Sequence, residues 1–253
     1  MRPVYVIKLG AIEEDMKRLV GMLELPEKAA NVGIKIAMCD YRRSETGATT
    51  DPIVLGALVS ALRSKYPSCE ISFFENDASG TNAEILFRYL EIDRLAQKHD
   101  CRIVSLSKTS WVPKKIDGLH FKEVEVPVLV EDFDLIINHP KLKTHGLTKI
   151  TCGLKNMFGC YKEKRKVKYH KFLDEAIVDM NLAIRSDVTV VDALTCMEGI
   201  GGPAYGLPRR LGLLIASRDI VAADSFCARL AGFRPWFVGH IRKSAEKGIG
   251  KMA

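Results

Sequence analysis

Short apolar runs alternate along the chain with longer stretches in which apolar residues recur every three or four positions. Residues 4–9 form a run of the first kind, closed by Gly10, and read as a strand. Residues 13–25 are of the second kind: Met16, Leu19, Val20 and Leu23 share a helical face, and Pro26 ends it. Residues 33–38 and 70–74 read as further strands, the first entering the loop Cys39-Asp40-Tyr41-Arg42-Arg43. Asp51-Pro52 supplies an N-cap and a first-turn proline for a helix to Leu62. Another helix follows the polar loop 75–81, over residues 82–90. Residues 102–106 and 134–138 look like strands, with an extended excursion at 121–130 between them. The rest of the chain gives a helix at 172–184, a strand at 188–191 and a glycine-rich turn at 199–206. A strand at 212–216 and helices at 220–231 and 235–247 complete it.

Strands that alternate with helices predict an α/β protein: a mainly parallel sheet with helices on both faces, in a Rossmann-like three-layer architecture. No linker or repeat divides the chain, so residues 1–253 are read as one domain. In such sheets ligands sit outside the carboxyl ends of the strands. The loops at 40–50, 75–81, from 139 onward and 192–206 leave strands, and they are rich in polar residues and glycine.

Composition adds little until charge is placed along the chain. Hydrophobic residues make up 47% and charged residues 27%, an ordinary globular balance. The first apolar run is too short for a signal peptide or a membrane span, so a cytoplasmic protein without a membrane partner is expected. The seven cysteines are widely spaced and contain no Cys-x-x-Cys pair, which argues against a disulfide scaffold or a zinc ribbon. Net charge is +7, yet residues 141–171 hold ten lysines and arginines against the single acid Glu163. That segment therefore carries +9 and the remainder −2, which marks a local site.

The richest chemistry lies in Asn138-His139-Pro140-Lys141-Leu142-Lys143-Thr144-His145-Gly146, continuing to Gly153-Leu154-Lys155-Asn156-Met157-Phe158-Gly159-Cys160. Glycines let backbone amides approach a ligand, and lysines supply point charges for phosphate or carboxylate. His145, Lys155 and His139 are the candidate catalytic groups; Lys141, Lys143, Thr144 and Asn156 are candidate ligand contacts. Arg42 and Arg43, directly after a strand, suit bidentate anion recognition, with surface ion pairing as the alternative. Asp77, Ser79 and Thr81 form a strand-to-helix loop that either holds an anion or caps the helix. Gly201 and Gly202 belong to a glycine-rich turn that lacks the order of a dinucleotide fingerprint. Asp192 and Glu198 are weaker acid/base candidates beside it.

The segment 138–160 resembles the signature of the domain of unknown function 362 family, as do 192–206 with Ile220-Val221-Ala222-Ala223-Asp224 and the ending at 232–250. Many relatives in that family carry a ferredoxin-like cysteine module, which implies redox work. This chain has no such module, so electron transfer would need a separate partner. A fainter likeness is to the nickel-pincer lactate racemase family, on Asp40-Tyr41-Arg42-Arg43, His145 and Lys155. It implies a fold and an anion-site location. It does not extend to nickel or racemisation, because Thr151-Cys152-Gly153-Leu154-Lys155 replaces the Ser-Gly-Gly-Arg-Lys pattern and no proline follows Arg43.

The leading expectation is an enzyme acting on a small phosphorylated or carboxylated molecule, its cofactor and metal unspecified. A second reading is a nucleic-acid-binding protein that uses Lys162 to Lys171, with Tyr161 and Tyr169 for stacking. The same run could be a basic flap over 160–171 that closes on an anion. A third is an iron–sulfur or metal-binding redox protein using Cys152, Cys160 and Cys196.

Overall fold

The structure is a computed structural model that describes residues 2–199 and 205–252. Gly201 and Gly202 of the glycine-rich turn lie outside the described residues. In chain order the elements are β1 (Val4–Lys8), α1 (Ile12–Met22), β2 (Asn31–Lys35), α2 (Pro52–Lys65), β3 (Glu70–Glu75), α3 (Ala83–Tyr89), α4 (Ile92–Lys98), β4 (Arg102–Ser105) and β5 (Trp111–Lys115). They continue as β6 (Glu123–Pro127), β7 (Leu135–Asn138), β8 (Lys141–His145), β9 (Lys149–Thr151), α5 (Gly153–Met157), α6 (Leu173–Ala183), β10 (Val188–Glu198), β11 (Leu207–Ser217), α7 (Ile220–Leu230) and α8 (Gly239–Glu246).

The main sheet runs β1-β11-β10-β7-β2-β3-β4. From β10 to β4 every neighbouring pair is parallel; β11 and β1 close the other edge antiparallel. Strand periodicity sorts the side chains between two cores. Leu135 and Ile137 of β7 face one core, with Val190 of β10, while Ile136 and Val191 face the other. Helices α1 to α4 cover the first face and α5 to α8 the second. The three-layer α/β expectation is borne out, on a mixed sheet that is mostly parallel.

Local chemistry explains the better-placed elements. Asp51 caps α2 by accepting from Ile53 N, and Asn82 caps α3 by accepting from Ile85 N. Several elements depart from expectation, β8, β9 and β10 the most consequential for the site. Helix α4 has only seven residues, too few for a periodic signal. Residues 141–151, read as loop, form the hairpin β8–β9, and β8 also lies parallel to β10. Strand β10 runs to Glu198 and not to residue 191, because its pairing with β11 continues past a bulge between Ala193 and Thr195.

Candidate functional site

Strand β8 sets the geometry of the site. Its five residues alternate, so Lys141, Lys143 and His145 point one way and Leu142 and Thr144 the other. The first three line a cavity of about 160 Å³ at the carboxyl ends of β2, β3 and β7. Leu142 packs into the second core, and Thr144 Oγ1 donates to Gly199 O at 2.8 Å, away from the cavity. The other walls come from 37–39 after β2, 75–78 at the end of β3, and Lys155, Asn156, Phe158 and Gly159 around α5. Lys166 and His170 also line it.

Five lysines meet here, and they differ in how they are held. Lys35, at the end of β2 and only 1% exposed, pairs with Glu75 at 2.8 Å. Lys141 pairs with Asp192 at 2.9 Å, both fully buried. Asp192 also accepts from Asp51 N and Leu194 N, so it is saturated by three donors. Its sequence-level candidacy as a free acid or base thus meets a carboxylate occupied with neutralising Lys141. Among the described residues Lys143 has no carboxylate partner: its Nζ donates to Ala48 O at 2.8 Å and Cys39 Sγ at 3.1 Å. Lys166 donates to Tyr161 O. Among the described residues, Lys155 Nζ has no hydrogen-bond or carboxylate partner and only lies 6.0 Å from the centre of the Phe158 ring.

Two of these lysines, Lys155 and Lys166, are stressed as cations. Burial, then the nearby Lys143 charge, bring Lys155 down to about 8 against the pull of Cys39. Burial likewise lowers Lys166 to about 8. His145 is pushed down to about 3 by burial and by the charges of Lys155 and Lys143. Its Nδ1 accepts from Leu147 N at 3.1 Å and Thr148 N at 3.3 Å, so Nδ1 bears no proton and the neutral ring carries its hydrogen on Nε2. The lining carboxylates, Glu75 and Asp77, are already engaged with Lys35 and, at 3.5 Å, with Lys164. The cavity is thus a positively charged pocket in which Lys143, Lys155 and Lys166 lack a carboxylate partner among the described residues.

Helix α5 holds Lys155 in place through a buried acid. Asp224 accepts from Gly153 N at 2.7 Å and Leu154 N at 3.0 Å, capping the helix from α7. Gly153 is required there, because a Cβ would come within 2.9 Å of Asp224 Oδ1. Asn156 donates to Lys35 O and Asn138 Oδ1, tying α5 to β2 and β7. Gly159 leaves the Lys35–Glu75 pair open to the cavity, since a Cβ would stand 3.2 Å from Lys35 Nζ.

Of the residues singled out from sequence, the cavity gathers His145, Lys155, Lys141, Lys143, Asn156 and Asp77. His139 lies in the interior instead, fully buried, with Nδ1 2.7 Å from Val190 O. Arg42 pairs with Asp40 at 2.9 Å, and the carbonyl of exposed Arg43 accepts from Thr46; neither lines the cavity. Ser79 is exposed and joins the 164–166 backbone, while Thr81 closes a turn with Ala78. Sequence reading missed Lys35 and gave Cys39 no role; Glu75 fell within the 75–81 loop and Lys166 and His170 within the basic flap, none of them singled out.

The basic run is anchored rather than free-standing. Tyr161 and Tyr169 are buried against Phe121, Phe158 and Phe172, which removes their faces from solvent. Lys162 pairs with Glu125, Lys164 with Asp77 and Lys168 with Glu163. Among the described residues no three His, Cys, Asp or Glu side chains gather as a metal set. Cys152, Cys160 and Cys196 are buried, and desolvation raises all three thiols, Cys160 to about 11 and Cys196 to about 12.

Fold and site together define a three-layer α/β protein with a lysine-lined cavity at the carboxyl edge of its sheet. Residues 32–229 match the family described as Domain of unknown function (DUF362), and the chain belongs to that family. It is 36% identical over 144 residues to a thylakoid-associated protein of Synechocystis sp., a match covering 54% of this chain and 44% of that protein. It thus spans less than half of that relative. The apoprotein structure of lactate racemase from Thermoanaerobacterium thermosaccharolyticum is similar in fold, with a TM-score of 0.51 and 12% identity. That likeness covers 87% of this chain and 54% of the other. No helix among the described residues is long and apolar enough to cross a membrane.

Proposed function

We propose that the protein is an enzyme whose substrate is a small anion, phosphorylated or carboxylated, bound in the β8–α5 cavity. The observation that carries this reading is the unpartnered Lys155 Nζ, beside a Lys143 that has no carboxylate. A half-buried cation without a counter-ion is costly, and an incoming anion relieves that cost. Lys143, Lys155 and Lys166 would neutralise the ligand, and the Nε2–H of His145 would donate to it. A cavity of about 160 Å³ suits a small molecule.

The nickel-pincer group does not fit the residues present. In the segment that would hold it, Cys152 is fully buried and the Gly153 and Leu154 amides are spent on Asp224. Calorimetric titration with sulfate, phosphate and small carboxylates tests the anion site. Lys155→Ala or His145→Ala should each weaken binding roughly tenfold to a hundredfold, the worth of a hydrogen bond to a charged group. Unchanged affinity in both variants would remove the assignment.

A further inference from the structure

We propose that Lys155 is a nucleophile, forming an iminium with the carbonyl carbon of a small oxo-acid held in this cavity. This rests on the anion-site reading and narrows it to one substrate class. Of the five lysines lining the cavity, Lys35 and Lys141 are locked to carboxylates, Lys143 to Ala48 O and Cys39 Sγ, and Lys166 to Tyr161 O. Only Lys155, among the described residues, leaves its amine uncommitted. Lys143 and the Nε2–H of His145 sit in the same cavity, placed to take the carboxylate while the carbonyl meets Lys155. Ala37, Met38, Phe158 and Leu173 form an apolar wall for the carbon skeleton.

An amine attacks only when neutral. The groups acting on Lys155 are Cys39, which favours its charge, and Lys143, which opposes it, while burial acts most strongly. Bringing its pKa from 10.5 to about 8 raises the neutral fraction at pH 7 roughly 300-fold. In the step itself the Nζ lone pair forms the C–N bond and the carbonyl π electrons move to oxygen, giving a carbinolamine. Taking one proton from solvent, the hydroxyl then leaves as water, and the C=N⁺ bond restores at Lys155 the positive charge its ammonium had carried.

The test is reductive trapping of the full chain with pyruvate, and separately acetoacetate, in the presence of cyanoborohydride, followed by peptide mapping. One adduct per chain is expected on Lys155, formed on the order of a hundredfold faster than at an exposed lysine. Excess sulfate should suppress it, and acetone, which lacks the carboxylate, should label poorly. Lys155→Arg removes the nucleophilic amine and should lose the adduct. Labelling of Lys155 no faster than of surface lysines, or equal total labelling of the arginine variant, overturns the iminium. If sulfate binds and trapping fails, the iminium alone is wrong. If sulfate does not bind the wild-type chain, the anion site itself fails.

Discussion

Changing the pH alone should switch the anion site off in a narrow window. Lys155 and Lys166 both stand at about 8 in the ligand-free protein, against 10.5 for an unperturbed lysine. A bound anion favours the charged form and raises both values, so binding takes up protons. The sign follows: affinity is full below pH 8 and is lost as pH climbs through 8, until the bound-state value is passed. Between pH 7 and pH 9 the protonated fraction of each lysine falls from about 0.9 to about 0.1. Affinity should therefore weaken about tenfold if one lysine governs binding and about a hundredfold if both do. His145, pushed down to about 3, is neutral across this range and adds nothing to it. The assay is calorimetry with sulfate, which stays fully ionised, at constant ionic strength in buffers of different ionisation heat. At pH 8 the uptake should be about one proton per chain, half from each lysine, and Lys155→Arg should halve it. Equal affinity at pH 7 and pH 9, with no proton uptake, would refute the placement of these amines.

Three further outcomes follow from the same geometry. Lys155→Met should stabilise the ligand-free protein by about 1–2 kcal/mol at pH 7 in denaturant unfolding, allowing for its half-buried position. Because the folded-state pKa is depressed, that gain is full below pH 8 and should vanish by about pH 10.5; a gain that persists there contradicts it. Lys141→Met leaves Asp192 buried without its cation and should cost about 3–5 kcal/mol. A loss below 1 kcal/mol would show that the two remaining donors, Asp51 N and Leu194 N, and water suffice. Asp224→Ala strands two buried amides of α5 and should cost about 2 kcal/mol or more. It should also weaken sulfate binding, since α5 carries Lys155; stability loss with intact affinity would separate the two roles.

Periodicity showed the three-layer fold because buried parallel strands and amphipathic helices repeat at different intervals. The site was legible only where its residues clustered in sequence. Lys141, Leu142, Lys143, Thr144 and His145 already alternate, a two-residue rhythm that marks a strand with three basic groups on one face. The surrounding glycines and charges masked that rhythm and suggested a loop. Lys35 was hidden for the opposite reason: it lies within the run Gly33-Ile34-Lys35-Ile36-Ala37, and its partner Glu75 is forty residues away. A lysine inside a fully apolar strand was itself the available signal, because such a charge is buried only with a counter-charge. The roles of His139 and Lys155 could not be separated from sequence, since both are basic residues near strand ends. Only the fold turns one into the core and the other toward the cavity.

An anion should occupy the space between Lys143, Lys155 and His145. A crystal structure with selenate, located by the anomalous signal of selenium, tests it most directly. Selenate oxygens are expected within hydrogen-bonding distance of Lys155 Nζ and His145 Nε2, with the selenium peak lost in Lys155→Met. Selenate bound only at surface arginines and lysines, with this cavity holding water alone, would contradict it.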